Sequence, residues 1–355
     1  MAFVKYLCVI LILTLSSALP NPRQEYDDEY RFEIIGDFDQ KAISPVQPNT
    51  YFSDIHIGTV KVLNDSLLDI KFTGDVFDLV TKYAHNGRGS ELSELLFFNG
   101  KMYTFEDKTG IIFDVTDNRL VPWVILGDGF GNETNGFKCE WATVKDDHIY
   151  VGSNARENFL NTGEIENRNN FYVKKVNKDG KVIHENWFEH YDKIRNSLEM
   201  PFPGFIVHEA CVWSPINNQW IFLPRKCTPQ SIFNVTEDYI GCNKIIFASE
   251  DFSTITHVDI QANPQPPERG FSSFKFLPDS DETIIVGLTT VETPEAVTTS
   301  IIAIDLEGRV LFPETKIIDD KYEGLAFFKH VISQGNLLEI VSWKIILLTV
   351  FLLLR

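Results

Sequence analysis

The chain has 355 residues, 44% of them apolar and 23% charged, which is the make-up of a globular protein and not of a disordered or collagen-like one. Against 50 acidic side chains stand 32 basic ones, a net charge of −18 that repels polyphosphate backbones and acidic lipid and argues against nucleic acid as a partner. So acidic a chain handles an anionic substrate only through a local cluster of Lys and Arg or a bound cation.

Residues 1–18 carry Lys5, an apolar run from Tyr6 to Leu15 and the small residues Ser16, Ser17 and Ala18, the pattern of a cleaved signal peptide. A membrane anchor is the weaker reading, because the run falls short of the ~20 residues that span a bilayer. Residues 19–30 follow as an acidic, apolar-poor lead-in expected to be flexible. The folded domain is expected over 31–330. Residues 331–355 form an apolar tail (IVSWKIILLTVFLLLR from Ile340) in which the polar spacer of a glycolipid-anchor signal is almost absent, so its role stays open. Secretion is the expectation, with membrane contact only if this tail anchors the chain. Once Cys8 leaves with the signal, Cys139, Cys211, Cys227 and Cys242 remain for two disulfides. Cys227 and Cys242 share one loop-like stretch and are the stronger pair; Cys139 with Cys211 is weaker, since either suits a buried thiol. No C-x-x-C spacing exists for structural zinc. Sequons at Asn64, Asn132 and Asn234 fit a secreted glycoprotein.

Between the ends, short β-rich runs alternate with turns: KMYTFEDKTGIIFDV from Lys101, HIYVGSNARE from His148, QWIFLPRK from Gln219, KIIFASEDF from Lys244, TIIVGLTTVE from Thr283 and SIIAIDLEGRVL from Ser300. Turn signals at Asn99-Gly100, Lys178-Asp179-Gly180 and Glu307-Gly308 predict antiparallel hairpins. The one helical stretch of any length is Trp187 to Met200. The phrases NGKMYTF, DDHIYVG, NNQWIFL and DETIIVG, at positions 99, 146, 217 and 281, echo one another and predict an all-β fold, a β-propeller of four or five blades of roughly sixty residues each. The pattern alone leaves a pair of β-sandwiches open.

A propeller brings the start of each inner strand to its central channel. Near the strand-opening phrases stand Ser93 and Glu94, Glu140, Glu209, Ser272 and Glu323; the gaps between 94, 140, 209, 272 and 323 are 46, 69, 63 and 51 residues, close to one position per blade. Any one of these glutamates reads most simply as an exposed strand-end charge. As a spaced set among apolar neighbours they predict convergent oxygens, which repel unless a hard cation joins them, and their number favours Ca²⁺ over Mg²⁺. Phosphate-loop, G-x-S-x-G, H-E-x-x-H and G-x-G-x-x-G motifs are missing. Asp37 and Asp39 in IIGDFDQ and Asp107 in FEDKTG suit positioning of a water, with a turn or Asx cap as the plain alternative. Arg88, and Arg225 with Lys226, suit phosphate oxygens or ordinary ion pairs equally. His208 beside Glu209 reads better as a core histidine than as a general base.

The strings GRGSELSELLFFNGKMYTFEDKTGIIFDV, VPWVILGDGFG, GFKCEWATVKDDHIYVG, HENW, PGFIVHEACVWSP, WIFLPRK, RGFSSFKFLP and PETKIIDDKYEGLAF resemble the calcium-activated nucleotidase family, the Cimex-type apyrases, from about Ile34 to Phe327. The resemblance implies a five-bladed β-propeller with Ca²⁺ in its channel that hydrolyses nucleoside di- and triphosphates outside the cytosol. It places calcium ligands on Ser93, Glu94, Glu140, Glu209, Ser272 and Glu323. Hydrolysis residues then fall on Asp37 and Asp107, and phosphate contacts on Arg225, with Arg88 assigned by its chemistry. One acidic position of vertebrate members is occupied here by the Asn170 to Val173 region, so their preference for UDP and GDP does not transfer. With a cleavable signal the chain looks like the secreted salivary apyrases of blood-feeding arthropods, which remove ATP and ADP and so block platelet aggregation. Two alternatives stand beside this expectation: a secretory-pathway UDP/GDP diphosphatase supporting glycosylation, and a non-enzymatic calcium-binding propeller.

Overall fold

A computed structural model describes residues 29–64, 67–262 and 267–328 of the protein. The expected signal peptide with Cys8, the lead-in up to residue 28 and the apolar tail lie outside the described residues. Among the described residues no helix is long and apolar enough to cross a membrane.

Five four-stranded antiparallel sheets make a five-bladed β-propeller. Blade 2 runs outward through Leu92–Phe98, Lys101–Glu106, Ile111–Thr116 and Arg119–Ile125. Blade 3 follows with Trp141–Lys145, His148–Gly152, Tyr172–Asn177 and Val182–Asn186, and blade 4 with Cys211–Ser214, Gln219–Phe222, Lys244–Ser249 and Ile255–Asp259. Gly270–Phe276, Ile284–Glu292, Val297–Asp305 and Val310–Ile318 form blade 5. Blade 1 joins the two ends of the fold: its inner strand is Tyr322–Phe327, and Glu29–Gly36, Tyr51–Asn64 and Leu67–Thr81 complete it. The five inner strands touch one another around the channel.

Position in the blade explains the character of each strand. Inner strands are buried on both faces, so Leu92–Phe98 (LSELLFF) is nearly continuous in its burial, whereas the outermost Arg119–Ile125 is mostly exposed. The hairpin at Asn99-Gly100 needs two consecutive left-handed residues (φ 48° and 79°), the geometry that matches strand twist and that Asn-Gly adopts at little cost. Asp117-Asn118 and Asp146-Asp147 make the same two-residue turn.

The sandwich alternative fails because each sheet packs both faces on neighbours around a ring. The five apolar clusters correspond to the five blade interfaces. Trp141, Tyr150, Trp187, Trp213 and Trp220 fill that of blades 3 and 4, for example, and Ile35, Ile55, Leu92, Leu95 and Phe113 that of blades 1 and 2. Blade 1 begins at Glu29, two residues inside the expected lead-in, since Tyr30 is buried and paired with Val60. The predicted helix forms over Phe188–Ser197 in the connection from blade 3 to blade 4. Its buried Arg195 clamps Glu157 through two bonds of 2.9 and 3.1 Å and donates to the Ala155 carbonyl at 2.7 Å, pinning the long connection that crosses the top of blade 3. Cys227 and Cys242 form a disulfide; Cys139 and Cys211 are separate buried thiols.

Candidate active site

The connections at one end of the propeller carry most of the residues singled out in the sequence, and backbone bonds stitch them together. Asp37, just beyond the first strand of blade 1, pairs with Glu91 ahead of blade 2, and Glu91 accepts the Asp107 N–H at 3.0 Å. Arg88 donates to both oxygens of Glu91 (2.7 and 2.6 Å) and to Asp39 at 2.5 Å. Asp37, Asp39, Arg88, Glu292 and Lys321 line one open cleft of about 360 Å³.

Around the channel mouth, acids and bases alternate. Lys321 bridges Asp37 (2.8 Å) and Glu323 (3.1 Å). Arg225, almost wholly buried, donates to Glu209 at 2.8 Å and to Glu292 at 3.1 Å, and lies 3.8 Å from Glu323. On the far side Lys138 binds Glu140 and also Asp107 at 2.9 Å, and Lys108 reaches Asp107 at 2.9 Å and Glu91 at 3.4 Å. One network of alternating charge thus joins Asp37, Arg88, Asp107, Glu140, Glu209, Arg225 and Glu323. The Asp107 turn is held by its neighbour: Glu106 accepts from Thr109 N–H at 2.5 Å and from the Thr109 hydroxyl. Gly110 closes that turn at φ 68°, where a Cβ would strike the Leu126 carbonyl.

Ser93, Glu94 and Ser272 stand apart from this network, and β-bulges account for it. The ladder slips between Leu92 and Glu94 in blade 2 and between Phe271 and Ser273 in blade 5, which leaves Ser93 and Ser272 as the unpaired residues and re-aims their neighbours. Glu94 accepts from Lys275 (2.7 Å), Leu95 N–H (2.8 Å), Ser273 (3.0 Å) and Leu325 N–H (3.4 Å). Ser272 donates to the Tyr322 carbonyl at 3.0 Å. The Ser93 hydroxyl is buried without a partner. His208 is a core residue against Tyr191 and Phe222, and burial holds it neutral with a pKa of about 3.

Burial dominates the electrostatics. It lifts Glu140 to about 7 against the pull of Lys138, and raises Glu323 well above the carboxylate range despite Lys321. Glu91 and Glu106 rise to about 7 by burial and by the charge of Asp107. For Asp107 burial also works upward, but Lys138 and Lys108 together outweigh it and hold the carboxyl well below its usual range. Glu292 is likewise held low by Lys321 and Arg225 against its burial.

The donor set suits a hard, oxygen-ligated cation in part. Glu140 and Glu323 are carboxylates whose burial outweighs the pull of Lys138 and Lys321, and Ser93 Oγ and Asp107 Oδ1 are buried oxygens with no bond. Glu94 and Ser272 already have partners. Among the described residues the acidic trio whose oxygens come within 4.8 Å of one another is Asp37, Asp39 and Glu91, and Arg88 occupies it.

Sequence reasoning missed Lys138, Lys321, Lys108, Glu91, Glu106 and Glu292. A usable signal was there: Lys138-Cys139-Glu140 and Lys321-Tyr322-Glu323 repeat a Lys-x-Glu step, and residues two apart on an extended chain share a face.

A sequence profile described as Apyrase matches residues 38–328. An apyrase of Phlebotomus duboscqi is 44% identical over 92% of this chain and 97% of its own length, and an apyrase of Cimex lectularius is 42% identical over 84% and 82%. The soluble calcium-activated nucleotidase 1 of Rattus norvegicus is 40% identical over 84% of this chain and 73% of its own. With the profile spanning nearly the whole propeller and these relatives aligned along it, the chain belongs to the apyrase family.

Proposed function

We propose that the protein is a calcium-dependent apyrase that hydrolyses extracellular ATP and ADP to AMP and phosphate, and that it acts outside the cell against platelet aggregation in a host. The observation that carries this reading is one channel mouth at which Arg225, Lys321, Lys138 and Arg88 alternate with a larger number of carboxylates, in a chain with net charge −18, so that a polyanion is held there by these bases once a cation offsets the acids. The relatives named apyrase and calcium-activated nucleotidase support nucleoside di- and triphosphates as the substrate class, within which ATP and ADP are the proposal.

Glu140, Glu209 and Glu323, with Ser93, would hold the calcium ion, which when bound neutralises phosphate charge and polarises the phosphorus. Arg225 offers a phosphate oxygen the guanidinium nitrogen that Glu292 now holds, and Arg88 and Lys321 line the cleft through which the nucleotide enters. Asp107 stays ionised through neutral pH, and its Oδ1 is the oxygen left without a bond. It orients the attacking water in line with the terminal phosphorus, and Asp37, joined to it through the Glu91 backbone, supports it. Phosphoryl transfer of this kind needs positioning more than a strong base, which suits a carboxylate of low basicity.

The test is phosphate release by the purified secreted protein from ATP, ADP, UDP, GDP and AMP, with calcium, with magnesium alone and with chelator. Calcium-dependent release from ATP and ADP, with AMP untouched, is expected, and Asp107→Asn should lower kcat on the order of 100-fold or more. A dominant UDP and GDP activity would redirect the enzyme to glycosylation, and no release from any nucleotide would leave a calcium-binding propeller.

A further inference from the structure

We propose that Glu292 is a displaceable counter-anion: it holds Arg225 and Lys321 until a terminal phosphate takes its place, and so sets the affinity of the site for substrate and for product phosphate. The inference rests on the reading that these two cations receive phosphate.

Five carboxylates lie within 4.0 Å of Arg225 or Lys321, and they differ in freedom. The side chains of Asp37, Glu323 and Glu209 are 1%, 3% and 15% exposed, whereas those of Glu292 and Asp39 are 41% exposed. Asp39 sits 3.8 Å from Lys321 and is tied to Arg88 at 2.5 Å. Glu292 meets both cations, at 3.1 Å from Arg225 and 3.8 Å from Lys321, and lines the cleft. It can therefore swing into water without stranding a charge in a dry interior, which the buried acids cannot do. The guanidinium is already divided for the exchange: one nitrogen bonds the fixed Glu209, the other bonds Glu292. A phosphate oxygen fits the position a carboxylate oxygen leaves, because both are anionic acceptors on the same fork of donors.

The hairpin that carries Glu292 has a latch. Glu292 ends the second strand of blade 5, and Glu295 in the turn beyond accepts the Tyr239 hydroxyl at 2.7 Å. Tyr239 belongs to the stretch closed by Cys227 and Cys242. A disulfide-braced loop of blade 4 thus keeps the carboxylate over Arg225, and its return after hydrolysis competes with the freed phosphate.

The experiment compares the full-length wild type, Glu292→Gln and Tyr239→Phe at saturating calcium and fixed ionic strength, reading KM for ATP and ADP and the inhibition constant of inorganic phosphate. In Glu292→Gln both should fall on the order of tenfold, the size of one charge-assisted hydrogen bond. Tyr239→Phe should move both the same way by less, and it keeps the test open if Glu292→Gln does not fold. Unchanged or raised constants in folded variants of an active enzyme overturn the inference alone. A wild type that releases no phosphate from any nucleotide overturns the nucleotidase reading. Calorimetric binding of inorganic phosphate then decides Glu292 by itself: tighter binding to Glu292→Gln upholds its role, and equal or weaker binding ends it.

Discussion

Glu106 stands one residue before Asp107, its carboxylate buried and taken up by the backbone and hydroxyl of Thr109. It touches no place where substrate would sit, yet the turn it closes sets where Asp107 and Lys108 point. With a pKa of about 7 it needs no charge for this work, only acceptor oxygens. Glu106→Gln keeps one and should retain most activity. Glu106→Ala strands the two Thr109 donors and the Glu91 N–H, which costs about 2 kcal/mol in stability and should lower kcat on the order of tenfold with KM little changed. Urea midpoints and steady-state kinetics check both, and equal kcat in the two variants would remove the positioning role. Such a residue is illegible in sequence because its partner, three positions on, becomes one only when the turn closes. Asp107 in FEDKTG and Arg88 in NGRGSELS were singled out among polar neighbours and Arg225 after an apolar run, and all three fall in the one charge network. Glu94 was half legible: its spacing gave the blade, but the bulge at Ser93 decides which way it faces, and no composition rule reports a bulge.

Individual strands and hairpins were readable where local chemistry determines them. Asn99-Gly100 and the alternation around His148–Gly152 give the turn and the strand directly. Contacts between a strand and a distant loop were not. Lys174, in the third strand of blade 3, is buried where a sequence reader would place a solvent-facing lysine. Its ammonium donates to the Gly129 carbonyl, lies 3.1 Å from His184 Nδ1 and stands 4.6 Å over the Phe137 ring, anchoring the blade 2 to blade 3 connection. Burial lowers its pKa to about 8, against the pull of Asp128. Between pH 8 and about 10.5 the unfolded chain therefore binds a proton that the folded protein has released, so stability from this group rises with pH and is lost as pH falls toward 8. Relative to Lys174→Met, the wild type should gain up to about 1.4 kcal/mol per pH unit across that window. Urea unfolding of both proteins at pH 7.5, 8.5 and 9.5 measures the difference, and a flat difference contradicts the account.

At the scale of the molecule, the spacing of the echoing phrases allowed four or five blades and the family resemblance implied the five that form, but neither gave the manner of closure. Nothing local marks Tyr322–Phe327 as the inner strand of the blade whose other strands open the fold, because its pairing with Glu29–Gly36 spans nearly the whole described chain. That strand buries Tyr322, Leu325 and Ala326, supplies the carbonyl that holds Ser272 and an N–H for Glu94, and brings Lys321 and Glu323 to the channel mouth. Ring closure and completion of the site are consequently one event. Each blade leans on two neighbours, so an open ring exposes an apolar face on both sides of the gap. A chain ending at Phe328 should unfold in one cooperative transition like the full chain, whereas one ending at Lys321 should lose cooperativity and its near-ultraviolet dichroism while keeping much of its strand signal. If the chain ending at Lys321 unfolds as sharply as the one ending at Phe328, four blades suffice for the fold. The closing strand would then serve the site alone.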